Sequence, residues 1–419
     1  MPGEKSILII GGGVIGLCIA YYAMREGHTV TILERGAPDH DGCSLGNAGM
    51  IVPSHIIPLA APGIVAAGLK MMTNPESPFS IRMRPDPDLM RWVWAFTRSA
   101  TAAHVFRSAP LLRDLHLASR RCYEKLSEKR GNDFGLVKKG LLMLCKSEHV
   151  LHEEAQAAGI ARKAGLPTEL LTPEETAKLD PNIRMEIAGA VYFPLDCHLN
   201  PWQFVAGLTR DLEAGGAKFL WSTEATGWKR ANGRIKGVQT NQGDVWADEY
   251  VLAGGSWSAE LAKELGLSLL LQAGKGYSMT LPAPRQLPEI CSILTEARVA
   301  VTPMGSSLRF AGTMEITGLD LSINQARVNG IKKSIPAYFP EFSTGDFDGL
   351  PVWSGLRPCS PDGLPYIGRS KQYPNLSIAT GHAMMGLSLG PITGQLMADV
   401  LSDRQPTIDL TLLNPDRFA

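Results

Sequence analysis

Eighteen residues, Ile7 to Met24, pass without a charge, and the spacing of their apolar positions changes on the way. A continuous block at 7–10 gives way to three glycines and then to a repeat of three to four. A buried parallel strand, a glycine turn and a helix packed on that strand account for the order. The run approaches the length of a membrane span, but the glycines make a poor helix, and a basic leader and a small-residue cleavage site are both missing. A second strand ends at Glu34. Helical spacing then dominates residues 84–130, in "DLMRWVWAFTRSA" and "LLRDLHLASRRCYEKLSEKRG", followed by a strand in "KGLLMLC" and a helix over 148–164. Thr172, with Pro173 after it and Glu175 three on, is a helix-capping signal. From 187 the pattern reads strand, helix (201–215) and short strands, with Asn232-Gly233 and Gln242-Gly243 as turn pairs. A strand-rich region over 272–315, a helix in "INQARVNGIKKSIPAYF", a strand in "NLSIAT" and a helix from near Gly386 complete the chain.

Composition narrows the partners. Lys plus Arg equals Asp plus Glu at 41 each in 419 residues, which leaves no charge excess for nucleic acid and favours a small-molecule partner. The seven cysteines are scattered and contain no CxxC pair, against both a disulfide framework and a zinc site, and in favour of a reducing compartment. No metal is expected: His149 and His152 lie on a charged helix face. Cys197 and His198 are strand neighbours that point to opposite faces, which argues against a nucleophilic dyad. Trp92, Trp94 and Phe96 read as helix packing rather than lipid contact.

Two features carry candidate chemistry. Gly11, Gly13 and Gly16 stand between strand and helix, and Glu34 follows at the end of the second strand, as a dinucleotide site requires: a tight turn, close approach to a pyrophosphate, close helix packing, and a carboxylate for ribose hydroxyls. The fingerprint alone leaves FAD and NAD open. The small-residue stretch "GCSLGNAGMIVPSH" lets backbone approach a flat ligand. A second GxGxxG is absent, so a reduced flavin here would pass electrons to oxygen, a quinone or another protein. The second feature is Arg357 in "VWSGLRPCSPDGLPYIG", a fixed positive charge among apolar residues that needs an anion to face it. Residues 381–398 carry no acid, so the amino end of the closing helix is also free to meet negative charge.

Taken together, Gly11 to Glu34, "SLGNAGMIVPSHIIPLAAPG", "DCHLNPWQF", "AGGSWS", "GKGYSM", "WSGLRPCSPDGLPYIG" and "TGHAMMGLSLGPITGQL" resemble the D-amino acid oxidase and glycine oxidase superfamily, most closely its bacterial D-amino acid dehydrogenases. The resemblance implies non-covalent FAD and an α/β fold with an α+β second domain. The Rossmann-type FAD-binding domain is expected over 1–83, 186–265 and 351–419, with a discontinuous antiparallel-sheet substrate domain over 84–185 and 266–350. It implies that Arg357 in the "GLRP" turn binds the substrate carboxylate, with Tyr277, His55 and Tyr366 as pocket residues. Expected cofactor contacts are Gly11, Gly13, Val14, Ile15, Gly16, Glu34 and Arg35, then Ser44, Asn47, Ala48, Gly49 and Met50. Ala225, Gly254, Gly255 and Trp257 follow, with Gly381, His382, Met385, Gly386, Leu387 and Ser388 at the last turn.

The implied reaction is oxidative deamination of D-amino acids to 2-oxo acids and ammonia, by hydride transfer from Cα to flavin N5, with electrons passed to a quinone, dye or partner protein. The expected location is the cytoplasm, with peripheral attachment to the inner face of the membrane left open. Related glycine and sarcosine oxidases commonly carry a polar or basic residue where this chain has Met384 and Met385, and relatives often have an aromatic at the position of His55. Alternatives are therefore a cyclic or secondary amine substrate such as D-proline, hydroxy-D-proline or sarcosine, an oxidase, or a flavin-binding subunit without activity.

Overall fold

A computed structural model describes residues 3–72 and 74–419. Its first layer is a six-stranded sheet in the order 366–369, 376–380, 249–252, 6–10, 29–33 and 218–220, parallel except for the antiparallel edge pair 366–369 with 376–380. Helix Val14–Arg25 follows the first strand and packs on the closing helix Gly386–Leu401. Their approach is close because a Cβ on Gly394 would lie 2.5 Å from the Cys18 carbonyl oxygen. The long helix Ala102–Arg130 joins this pair, capped by the Thr101 side chain, which accepts from the His104 amide. The aliphatic side chains of these helices and of the sheet's inner strands form one buried cluster.

The second layer is a nine-stranded mixed sheet. Its main path runs 352–359, 272–281, 307–316, 299–304, 291–294, 141–145, 189–193 and 169–171, and strand 79–81 pairs with 307–316. Alternate residues sort its faces. Leu142, Leu144, Val299, Val301, Leu308 and Phe310 face a core covered by helix Gln325–Tyr338, while Met143, Ile293, Ala300 and Ala311, matched across neighbouring strands, face the other way.

Three sequence expectations change here. The "GLRP" segment is not a turn but part of an eight-residue strand, Val352–Cys359. That strand lies at the sheet edge, where Pro358 breaks no further ladder. Strands 79–81, 189–193 and 352–359, expected with the nucleotide domain, belong to the large sheet. Helix Ala102–Arg130, expected in the substrate domain, packs instead on the nucleotide side. Hydrophobic pattern assigns an element its type, whereas the layer it joins depends on partners remote in sequence.

Candidate functional site

A cavity of about 1890 Å³ extends from the carboxyl ends of the nucleotide strands to the free face of the large sheet. Ordinary small-ligand pockets span roughly 300–1,000 Å³, so there is room here for a large cofactor and a substrate together. Ile10, Leu33, Ala253 and Thr380, at or just beyond the ends of their strands, line one side; Ala300, Ala311 and Thr313 line the other.

At the nucleotide end the backbone is arranged for a phosphate-bearing ligand. Gly11 has φ +114°, and a Cβ there would sit 2.5 Å from the Ala253 carbonyl oxygen; a Cβ on Gly16 would meet the Gly11 oxygen at 1.9 Å. The first turn of helix Val14–Arg25 carries no acid to compete for an anion. Glu34 accepts from the Gly12 amide at 2.7 Å and from the Gly36 amide at 2.8 Å. Each carboxylate oxygen keeps a second acceptor site, and Glu34 lines the cavity. The Arg35 guanidinium stacks 3.5 Å from the Trp257 ring centroid, and Ala225 also lines the cavity. Helix Gly386–Leu401 likewise starts at the cavity with no acid in its first turn. A flavin dinucleotide fits these residues: glycines without side-chain obstruction, two bare helix ends and a carboxylate with free lone pairs.

At the substrate end stands Arg357. Its Nη1 donates to the Thr313 carbonyl at 2.7 Å, and no carboxylate forms an ion pair with it among the described residues. Desolvation holds its pKa below the ordinary guanidinium value. Two thiols approach it, Cys43 and Cys359, both pushed up by burial and therefore neutral, so neither offsets the charge. Gly276 leaves the space in which the guanidinium lies, since a Cβ there would come within 2.2 Å of both terminal nitrogens. Thr313 holds φ +70°, a strained conformation for a β-branched residue, beside the same guanidinium. Trp92 donates from Nε1 to the Cys359 carbonyl at 2.9 Å and ties helix Pro87–Ser99 to the Arg357 strand. Trp92 is thus buried, Phe96 stacks on it at 5.0 Å, and Trp94 is 62% exposed.

The other expected site residues divide. Gly11, Gly13, Val14, Ile15, Ser44, Asn47, Ala48 and Met50 line the cavity, as do Gly254, Gly255, His382, Met385, Gly386 and Leu387. So does His55, whose imidazole burial holds down at about 4. Tyr277 is at the cavity wall, but its side chain packs in the core on the other face of the large sheet, where its hydroxyl donates to Glu315 Oε1 at 2.5 Å and accepts from the Asn324 amide. Tyr366 does not reach the cavity: it is fully buried at the edge of the nucleotide sheet and donates to the Leu270 carbonyl at 2.9 Å. Gly16, Gly49, Gly381 and Ser388 do not line it either. Gly16 serves helix packing, and Gly49 passes close to the Leu199 carbonyl. Gly381 backs against the Tyr366 ring. Ser388 Oγ accepts from the Val52 amide and bonds His116 Nδ1, both at 3.0 Å. Cys197 is raised to about 12 and His198 lowered to about 4, both by burial, so this pair is neutral. His149 and His152 are exposed, and no cluster suited to a metal occurs among the described residues.

Several residues at the site had no signal in the chain. Arg309 donates to the carbonyls of Leu45 (2.9 Å) and Asn47 (2.7 Å) and to Thr280 Oγ1 (3.0 Å), clamping the small-residue segment onto the large sheet. His116, Ser54 and Asp196 also gather beside the cavity, from three separate segments. No spacing rule links such positions.

Comparisons with known proteins agree with this geometry. Residues 6–400 match the family model described as FAD dependent oxidoreductase. The chain is 32% identical to a D-amino acid dehydrogenase of Bradyrhizobium diazoefficiens, covering 99% of each. It is likewise 32% identical to one of Granulibacter bethesdensis, again covering 99% of both chains. Among solved structures, glycine oxidase from Geobacillus kaustophilus superposes with a TM-score of 0.79 at 25% identity, over 99% of both chains.

Proposed function

This chain belongs to the family of FAD dependent oxidoreductases, and on that premise we propose that it oxidises D-amino acids to 2-oxo acids and ammonia and passes the electrons to a quinone- or dye-type acceptor. The observation that carries this reading is Arg357, a half-buried guanidinium at the cavity with no acid among the described residues to neutralise it. A substrate carboxylate supplies the missing charge, and the planar fork of an arginine binds it in two-point fashion. Full-length relatives named D-amino acid dehydrogenase support the substrate class.

FAD would be held by the Gly11 to Glu34 unit, the Arg35–Trp257 pair and the amino end of helix Gly386–Leu401. When bound it supplies the acceptor for the hydride that leaves Cα. The chain's contribution is position. Arg357 fixes one end of the substrate, its own place set by Thr313 and Gly276, and Ala300 and Ala311 leave room above the sheet for the rest. We place the protein in the cytoplasm, in contact with the inner face of the membrane where quinones are reached. Met90 and Trp94, exposed one helical turn apart on helix Pro87–Ser99, support that contact. No helix among the described residues is long and apolar enough to cross a membrane.

The test is anaerobic bleaching of the flavin-loaded protein by D-alanine, D-phenylalanine, D-proline, glycine and the L-enantiomers. Bleaching by the primary D-amino acids and not by their mirror images is the expected result. Bleaching by D-proline alone replaces the reading with a cyclic secondary amine substrate, bleaching by glycine alone replaces it with oxidation of glycine, and no bleaching at all leaves a flavin-binding protein without this activity.

A further inference from the structure

Ser54 and Asp196 have no part in the reading above, yet they extend a hydrogen-bonded chain inward from the cavity wall. Ser54 Oγ lies 2.5 Å from Asp196 Oδ2 and 3.0 Å from His55 Nδ1, and the Ser54 amide donates to Asp196 Oδ1 at 3.0 Å. An ionised carboxylate only accepts, so the single hydroxyl proton of Ser54 goes to Asp196. His55 Nδ1 must then donate to Ser54 Oγ. That tautomer leaves a lone pair on Nε2, the nitrogen with no hydrogen-bonding partner among the described residues, on a side chain that lines the cavity. Asp196 is 1% exposed and opens "DCHLNP", a segment whose cysteine and histidine burial keeps neutral.

We propose that His55, Ser54 and Asp196 form a proton relay that removes a proton from the substrate's ammonium group before its Cα–H bond is broken. This rests on the amino-acid reading given above. An amino acid arrives at neutral pH as an ammonium ion, and a hydride leaves Cα only when the nitrogen has a lone pair to push with. In the relay, the substrate N–H bond breaks as His55 Nε2–H forms, Nδ1–H breaks as Ser54 Oγ–H forms, and the former hydroxyl proton goes to Asp196 Oδ2. One proton enters and one is stored, no electrons change owner, and His55 ends neutral in its other tautomer. The same steps in reverse return the proton to the cavity. Ser54 and Asp196 act through His55 and do not touch substrate themselves.

The surroundings favour storage on the carboxyl. Burial raises Asp196 to about 7, while burial holds His55 at about 4, so imidazolium is only a passing state. The charged and titratable groups around Asp196 are the Arg120 guanidinium, which lowers it, and the Cys197 and Cys291 thiols, both raised by burial. Opposite His55 is His116, itself held down at about 3 by burial. None of these supplies a competing base at neutral pH. The relay accepts a proton when Asp196 is ionised, so its action grows as pH rises through about 7.

The experiment is stopped-flow anaerobic bleaching of the flavin-loaded protein by a reactive D-amino acid, from weakly acidic to strongly alkaline pH, in wild type, Asp196→Asn and Ser54→Ala. Asn keeps the acceptor for the Ser54 amide, and Ser54→Ala cuts the middle of the chain if the first variant fails to fold. Both variants should slow about 10²-fold at neutral pH, the lower end of general-base contributions, lose the rise near pH 7, and converge on wild type in alkali, where the amine arrives already neutral. Infrared difference spectra of wild type should show a protonated-carboxyl band on reduction by substrate that is missing in Asp196→Asn. Variants slowed equally at every pH, or with the wild-type profile, would overturn the relay. A wild type that no amino acid bleaches overturns the parent reading and the relay with it, whereas a bleaching wild type with unaffected variants overturns the relay alone.

Discussion

The two ends of the cavity are built by opposite means. At the nucleotide end most of the groups turned toward a ligand come from one strand–turn–helix–strand run, Ser6 to Glu34: the bare amides of the glycine turn, a helix end and the Glu34 carboxylate. At the substrate end the groups are side chains: Arg357 and His55 come from separate segments, and Thr313 contributes a carbonyl from another strand. Backbone recognition depends on what is missing, a Cβ at Gly11 or Gly16, and tolerates little change of shape. Side-chain recognition depends on a charge left unopposed, and there the chemistry of one residue outweighs shape. Injury should therefore separate the two ends, with flavin lost at one and turnover at the other.

The sharpest separation comes from Arg357→Leu. Bleaching by substrate should fall by on the order of 10³-fold, the scale of losing one partner of a buried charged pair, while flavin absorbance per protein stays at the wild-type value. Flavin loss in this variant would erase the distinction. The complementary change, Gly16→Ala, drives a methyl into the Gly11 carbonyl and should cost about 1–3 kcal/mol of packing. It should appear as a lowered Tm and as protein that leaves gel filtration without flavin; retained flavin would mean that the turn yields more readily than its geometry indicates. The mildest change is Gly276→Ala. The atoms it meets are the far end of a long side chain, so the guanidinium swings aside and KM should rise about 10-fold, roughly 1.4 kcal/mol, with kcat and flavin content kept. A fall in kcat with KM unchanged would show that Gly276 has another task.

The same contrast decides what could be read from the chain beforehand. Spacing disclosed the Gly11 to Glu34 unit because its members are local and each glycine answers a steric demand. It placed the helices beginning near 201 and 386 and the Asn232-Gly233 turn, where both residues hold positive φ. The Arg357 segment was recognisable as needing an anion, yet its strand was hidden behind glycine and proline, which an edge position tolerates. Tyr366 shows the limit most plainly: nine residues from Arg357 along the chain, it lies in the other sheet with its hydroxyl turned to Leu270. Arg309 and Asp196 gave no signal because their partners, Asn47 and Ser54, are more than a hundred residues away.

The interleaving of the two sheets also bears on how such an enzyme can be altered. Strands of the large sheet are drawn from residues 79 to 359 and those of the nucleotide sheet from 6 to 380, so the polypeptide shuttles between them repeatedly. No single splice point detaches a self-standing half, and a chimera carrying a foreign substrate face would need simultaneous crossovers at several junctions. New specificity in this scaffold is therefore reached by accumulating point changes on a retained frame, rather than by exchanging modules.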